Sequence, residues 1–407
     1  MKKTIVCSLA LACACGGSST SHNQNPNCQP GNGSTLNASC DPGFSRIAPN
    51  RPGTIEVTFS GEKLGETGLP FTGDPADTNF VDGWSMTFDQ ILVVLGNFRL
   101  APGATQSPDQ RQVGTPVATM PGPYVVDMHK PSSFGTGADG VEPAGSIFKW
   151  DADDSGHAFD NNTRYAFSYD VVKATYPATQ VNLSPDQFAD YALMVQKGWT
   201  KLYRGTATYT GLGTYPVPAV QAKFAALPSP IHFVFGWNDA GSHVNCNNPD
   251  FGTGQTSRGV QPNSSGAVVA QVTMHVDHVF WDILKEHTDV KLRFDPIAAW
   301  APANTTAADP FDLRTLATKP LQTTFSDGTP LPDRGPQQTT KGAGYTCGGT
   351  RPCAQVTPNL NGVPAGNVPG LANFMAFSAQ SQMHLNADGL CYDVGQNAAD
   401  PFFMPGI

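Results

Sequence analysis

Charge is scarce in this chain. Only 14% of its 407 residues are Asp, Glu, Lys or Arg. No run of lysine or arginine occurs, and no stretch reaches the ~18 consecutive apolar residues of a membrane-spanning helix. A formal net charge of −9, with no basic patch to meet phosphates, argues against a nucleic-acid partner. Catalytic signatures are missing too: there is no G-x-S-x-G elbow, no H-E-x-x-H, no P-loop and no C-x-x-C. Gly135-Thr136-Gly137-Ala138-Asp139-Gly140 matches a dinucleotide fingerprint by letters, but it follows no clean strand and opens no helix. The expectation is therefore a binding protein and not an enzyme.

What is present begins with an address. Lys2 and Lys3 precede a short apolar run from Ile5 to Ala14, which reads as a secretion signal over residues 1–14. Its end, Ala12-Cys13-Ala14-Cys15-Gly16-Gly17, resembles the cleavage box of bacterial lipoproteins, in which a small residue precedes the cysteine that takes the lipid. That resemblance implies lipidation at Cys15, with Cys13 as a competing register and an ordinary cleaved signal as the alternative. Residues 15–52, rich in Gly, Ser, Asn and Pro, read as a flexible tether, and residues 53–407 as a β-rich domain with an irregular C-terminal part. The implied location is the cell envelope, on the periplasmic face or at the surface of the outer membrane, with the membrane met through the lipid.

Composition favours β-structure: 42 Gly and 35 Pro punctuate many short apolar runs, and 23 Phe outnumber 10 Tyr. Alternation predicts strands over 54–59, 84–88, 91–100, 124–127, 165–171, 231–237, 268–276 and 290–294. One helix is expected from Ser184 to Gly198, a helical turn after Asp277, and irregular chain over 301–345. The predicted fold is mainly β, an antiparallel β-sandwich with long loops and one or two short helices.

Once Cys7, Cys13 and Cys15 are assigned to the leader, Cys28, Cys40, Cys246, Cys347, Cys353 and Cys391 remain. An oxidising compartment would pair these six as three disulfides, for which fifteen connectivities exist. Cys28 with Cys40 and Cys347 with Cys353 close short loops, which leaves Cys246 for Cys391. Each of the last two has a histidine nearby, so their bridge would bring His243 and His384 into one neighbourhood.

Chemistry concentrates in Met274-His275-Val276-Asp277-His278, where two imidazoles and a carboxylate fall at the end of an apolar strand. On an unbroken strand His275 and Asp277 share a face and His278 points away, so joint ligation needs a break near Asp277. The expected metal set is His243, His275, Asp277, His278 and His384, with His129 as an additional group. Imidazole nitrogens suit zinc or copper, and Met274 or Met383 would supply a thioether for Cu(I). Asp151, Asp153 and Ser155, followed by Gly156, read as the opening of a calcium loop. Position twelve of that register is Asn162, where a bidentate Glu is expected. The bland alternative makes every histidine structural and leaves an adhesion, glycan-binding or peptide-binding module, with Trp84, Trp237 or Trp281 as platforms.

Several stretches together resemble an uncharacterised family of exported bacterial lipoproteins: Phe80-Val81-Asp82-Gly83-Trp84, Tyr124-Val125-Val126-Asp127, His275-Val276-Asp277-His278, Leu292-Arg293-Phe294-Asp295-Pro296 and the late His384 before Cys391. The resemblance runs from about residue 54 to 391 and implies the envelope address but no activity. Trp300-Ala301-Pro302-Ala303 stands where an acidic, calcium-loop-like stretch occurs in that family. A fainter similarity, through the lipid signal, the histidines and the closing cysteine, is to copper-binding envelope lipoproteins associated with methanobactin uptake.

Overall fold

The computed structural model describes residues 52–71, 80, 82–104, 112–129, 145–183, 187–211, 226–249, 256–264, 266–280, 292–312, 375, 379, 381–386 and 389–395. The leader, the lipidation residue Cys15, nearly all of the tether, Trp281 and the cysteines 28, 40, 347 and 353 lie outside the described residues. In chain order the elements are β1 (Ile55–Ser60), α1 (Glu62–Thr67), β2 (Trp84–Pro102), β3 (Ala118–Met120), β4 (Tyr124–Asp127), β5 (Gly145–Trp150), β6 (Tyr165–Val171), β7 (Thr179–Val181) and α2 (Phe188–Lys197). There follow β8 (Lys201–Tyr209), β9 (Ile231–Trp237), β10 (Gly241–Val244), β11 (Asn247–Pro249), β12 (Thr256–Arg258), β13 (Val268–Met274), β14 (Phe311–Asp312), β15 (Met383–Leu385) and β16 (Tyr392–Gly395).

Two main sheets result. The smaller has the order β15-β13-β1-β5, and the larger runs β14-β9-β8-β2-β6-β10-β16, with β3 and β4 also on β2 and β7 on β4. The mainly β expectation holds, with a correction to its antiparallel form: β1 with β13, β9 with β14 and β4 with β7 are parallel. The first of these pairs joins strands more than 200 residues apart, so no hairpin turn dictates their direction.

Alternation explains the packing. Ile55, Val57 and Phe59 share a face with Val268, Ala270 and Val272, and Met274 and Met383 lie opposite each other on that same face. This apolar face meets the larger sheet through aromatic contacts such as Phe98 with Phe148, centroids 5.0 Å apart, and Tyr124 with Phe148, 5.5 Å apart. The larger sheet is also covered behind, where Leu92, Val94, Val125 and Leu202 pack with Tyr191 and Met194 of α2 and with Trp199. That helix ends as expected at Gly198, which takes the left-handed conformation and donates to the carbonyls of Met194 and Val195.

Two predicted strands, 84–88 and 91–100, are one 19-residue strand, β2. Register shifts between Phe88 and Gln90 and again between Gly96 and Arg99 mark bulges. Each bulge reverses which parity faces inward, so Trp84, Met86 and Phe88, then Ile91, Val93 and Leu95, then Phe98 and Leu100 all enter the same core. The predicted strand 290–294 reduces, among the described residues, to a bridge between Leu292 and Phe80. The strand β8 escaped prediction because Lys201, Arg204, Thr206 and Thr208 interrupt its apolar positions.

Most of the stretches that carried the family resemblance meet in the core. Trp84 packs on Phe294 at 5.0 Å, and Phe80 lies between Phe280 and Phe294. Buried Asp82 accepts hydrogen bonds from the backbone N–H groups of Phe294 and Asp295, both at 2.8 Å. Burial, then the neighbouring Asp295 carboxylate, pushes the Asp82 carboxyl well above the usual carboxylate range. Trp84 and Trp237 are fully buried, so neither is a binding platform: each lies in an apolar run that the sandwich encloses.

Candidate metal centre

The site forms where β13 stops. After Met274 the chain leaves the strand at His275 and turns through a 3-10 helix, Val276–Phe280. In that geometry residues three apart eclipse, so His278 comes round onto the side of His275, and their ring centroids stand 5.1 Å apart. The break that joint ligation required is present.

The third imidazole comes from β15. Thr273 pairs with His384 and Met274 with Met383, so His384 takes the face opposite the buried methionines, the same face as Thr273 and His275. The His275 and His384 rings are 4.1 Å apart between centroids, and those of His278 and His384 are 5.7 Å apart. One nitrogen from each of His275, His278 and His384 lies within 4.8 Å of the others, and no other such group of metal-ligating side chains occurs among the described residues.

Ser381 orients two of the rings. His384 donates from Nε2 to the Ser381 carbonyl at 2.9 Å, which leaves Nδ1 as the lone-pair nitrogen of the neutral ring. His278 Nδ1 meets the Ser381 hydroxyl, also at 2.9 Å. Such outer oxygen contacts fix tautomer and ring angle in metal-binding histidines. The third ring, His275, has Nε2 3.1 Å from Glu62 Oε1 at the start of α1.

The segment around Ser381 is pinned to the larger sheet by buried polar groups. Lys201, fully buried, pairs with Asp239 at 2.6 Å and donates to the carbonyl of Ala379 at 2.8 Å. Gln382 donates to the Tyr203 hydroxyl at 2.6 Å and to the His275 carbonyl at 3.0 Å. Burial raises the Tyr203 phenol well above its ordinary value, so it stays a neutral hydrogen-bonding group.

The other expected ligands lie elsewhere. His243 is on β10 of the larger sheet, its ring stacked on Tyr169 with centroids 5.0 Å apart. Asp277 occupies the 3-10 turn, half-buried and outside the converging group. His129 Nδ1 meets the carbonyl of Gly65 at 2.8 Å. Met274 and Met383 face the core, behind the strands from the imidazoles. The Cys246–Cys391 disulfide is formed as expected, with Cα atoms 3.8 Å apart. Cys246 follows β10 and Cys391 precedes β16, neighbouring strands of the larger sheet, so the bridge clamps the ends of that pair and does not bring His243 into the trio.

Of the calcium candidates, Asp151 accepts from Thr54 and pairs with Lys149. Asp153 accepts from the N–H groups of His157 and Ser155, which hold its carboxyl below the usual range. These are turn contacts, and no cation cluster forms there among the described residues. Sequence reading missed Glu62, Ser381 and Lys201. Only the glycines at 61 and 65, on either side of Glu62, hint at a tight approach there. A Cβ on Gly61 would stand 2.3 Å from the Met128 carbonyl oxygen.

The fold and site define a β-sandwich bearing a three-imidazole cluster at the edge of its smaller sheet. Comparison with known proteins finds no matching family model, no matching curated protein and no matching solved structure.

Proposed function

We propose that this protein binds a transition-metal ion, zinc or copper, through His275, His278 and His384, without turnover. Its place would be the cell envelope, held by a lipid on Cys15. The single observation that carries the metal reading is the convergence of three imidazoles, from a strand end, a 3-10 turn and a distant strand, to within 4.8 Å. Imidazole is a neutral donor for zinc and copper, and the Ser381 oxygens that meet His278 and His384 are partners of the kind that orient metal-binding histidines. The address rests on the leader, with its two lysines, short apolar run and Ala14-Cys15 junction.

The test is metal analysis of the full chain after dialysis against Zn(II) or copper, for wild type, His275→Ala and His384→Ala. One ion per chain in wild type and loss in both variants is the expected result. The same trace amount of metal in all three proteins would refute the reading.

A further inference from the structure

We propose that buried Lys201 is a positioning residue of this metal centre: its ammonium fixes the Ser381-Gln382 pair on which all three histidines depend, and thereby sets the affinity for the ion. The proposal rests on the three-histidine reading above and adds the device that holds the rings converged.

The histidines meet at two adjacent residues. His278 Nδ1 meets the Ser381 hydroxyl and His384 Nε2 the Ser381 carbonyl, both at 2.9 Å. His275 is held through its main chain: its N–H donates to the Gln382 carbonyl at 2.9 Å, and its own carbonyl accepts from Gln382 Nε2 at 3.0 Å. Ser381 and Gln382 are both buried. A displacement of this pair would therefore disturb every ring of the trio at once.

Lys201 grips the pair from the larger sheet. It opens β8, and Tyr203 lies two residues on, so both side chains leave the same face of that strand. Lys201 Nζ donates to the Ala379 carbonyl at 2.8 Å and to Gln382 Oε1 at 3.4 Å, on either side of Ser381 in the chain. An ammonium carries donors only, so the Gln382 amide must turn its oxygen toward Lys201 and its nitrogen toward the Tyr203 hydroxyl and the His275 carbonyl. Asp239, which accepts from Nζ at 2.6 Å and from the Thr200 hydroxyl, aims the ammonium in turn.

Stability does not account for this arrangement. The Lys201 and Asp239 side chains are both fully buried, and apolar residues of similar volume in place of such a pair often leave a protein equally stable or more so. Apolar side chains would fill the space but leave the turn at Ser381 without a directed donor. Holding ligands in place through groups locked by packing and hydrogen bonds is what a precise metal site requires.

The experiment uses the full chain, with Zn(II) and Co(II) as probes. Variants are Lys201→Met, Lys201→Met with Asp239→Leu, Gln382→Leu, and the core control Val234→Ala, which thins the packing behind the larger sheet. Lys201→Met leaves the Asp239 carboxylate buried without its cation, so its metal-free Tm should fall, and the double variant should recover it. Zn(II) affinity should not recover with Tm: it should be roughly tenfold weaker in both, with a less intense tetrahedral Co(II) visible band. Gln382→Leu leaves the ion pair intact and should weaken Zn(II) by a similar factor. Val234→Ala should lower Tm and bind Zn(II) as wild type does.

Zn(II) affinity that returns together with Tm in the double variant would make Lys201 a structural residue only and overturn the proposal. Wild-type affinity in Gln382→Leu, or a loss in Val234→Ala equal to that in Lys201→Met, would overturn it as well. Should neither Lys201 variant fold, Gln382→Leu and its Co(II) spectrum decide. Wild type without stoichiometric metal would sink the three-histidine reading and this proposal together.

Discussion

Tyr169 donates its phenolic hydrogen to the backbone carbonyl of His384 at 3.1 Å, so a side chain of the larger sheet holds a histidine-bearing strand of the smaller one. The same ring stacks on His243, at 21° between planes. Tyr169 therefore stands between the imidazole that joins the cluster and the one that does not. Tyr169→Phe keeps the stack and removes the donor. It should cost ~1 kcal/mol of stability, read from urea denaturation, because a net buried hydrogen bond contributes about that much. Unchanged stability would show that the contact holds nothing in place.

Ser381 meets His278 through its hydroxyl and His384 through its carbonyl, and substitution separates the two contacts. Ser381→Ala should weaken Zn(II) binding by roughly tenfold, since His278 loses its orienting oxygen while His384 keeps its tautomer. A zinc titration beside His384→Ala, where the loss should be far larger, checks this. Equal losses in the two variants would contradict the division of labour.

The Cys246–Cys391 bridge closes a sequence separation of 145 residues where β10 and β16 meet in the larger sheet. Replacing both cysteines by serine should lower unfolding free energy by ~2–5 kcal/mol, as loss of a native disulfide does in small exported domains. Denaturant midpoints of the oxidised protein and the variant supply the comparison. Coincident midpoints would mean that the surrounding core holds this strand pair without the bridge.

Asp82 gives stability a pH dependence of unusual sign. Its folded pKa lies above the unfolded value of ~3.9, so between those values the native state holds a proton that the unfolded chain releases. The contribution is complete below the unfolded value and is lost as pH rises through the folded one, by up to ~1.4 kcal/mol per pH unit. Asp82→Asn removes that titration, and its amide oxygen can still accept from the Phe294 and Asp295 N–H groups. The variant should therefore gain on wild type as pH is raised from 4 upward, which Tm measurements across pH 4–8 would read. A difference in Tm that stays constant over that range would be the contrary result.

Much of this architecture was legible because alternation is local. Strands over Tyr124–Asp127, Tyr165–Val171 and Ile231–Trp237 stand where the pattern put them. A helical turn was expected after Asp277; the strand ends earlier, at Met274, and the 3-10 turn from Val276 makes His275 and His278 neighbours. The bulges in β2 were hidden, because an inserted residue such as Asp89 looks like a turn when only the alternating phase is followed. Lys201 was hidden for another reason. A lysine reads as solvent-facing unless its partners Asp239, Ala379 and Gln382 are known, and those come from remote segments.

The chain alone determined the β class, the positions of most of its longer strands, the Cys246–Cys391 pair and the histidines worth testing, since each depends on residue type and short-range spacing. Tertiary structure decided the parallel pairing of β1 with β13, the inward face of both methionines and the choice of His384 over His243. Pairing register is the reason. Side chains alternate with a period of two, so the alignment of two remote strands determines which of their residues share a face, and nothing within either strand specifies that alignment.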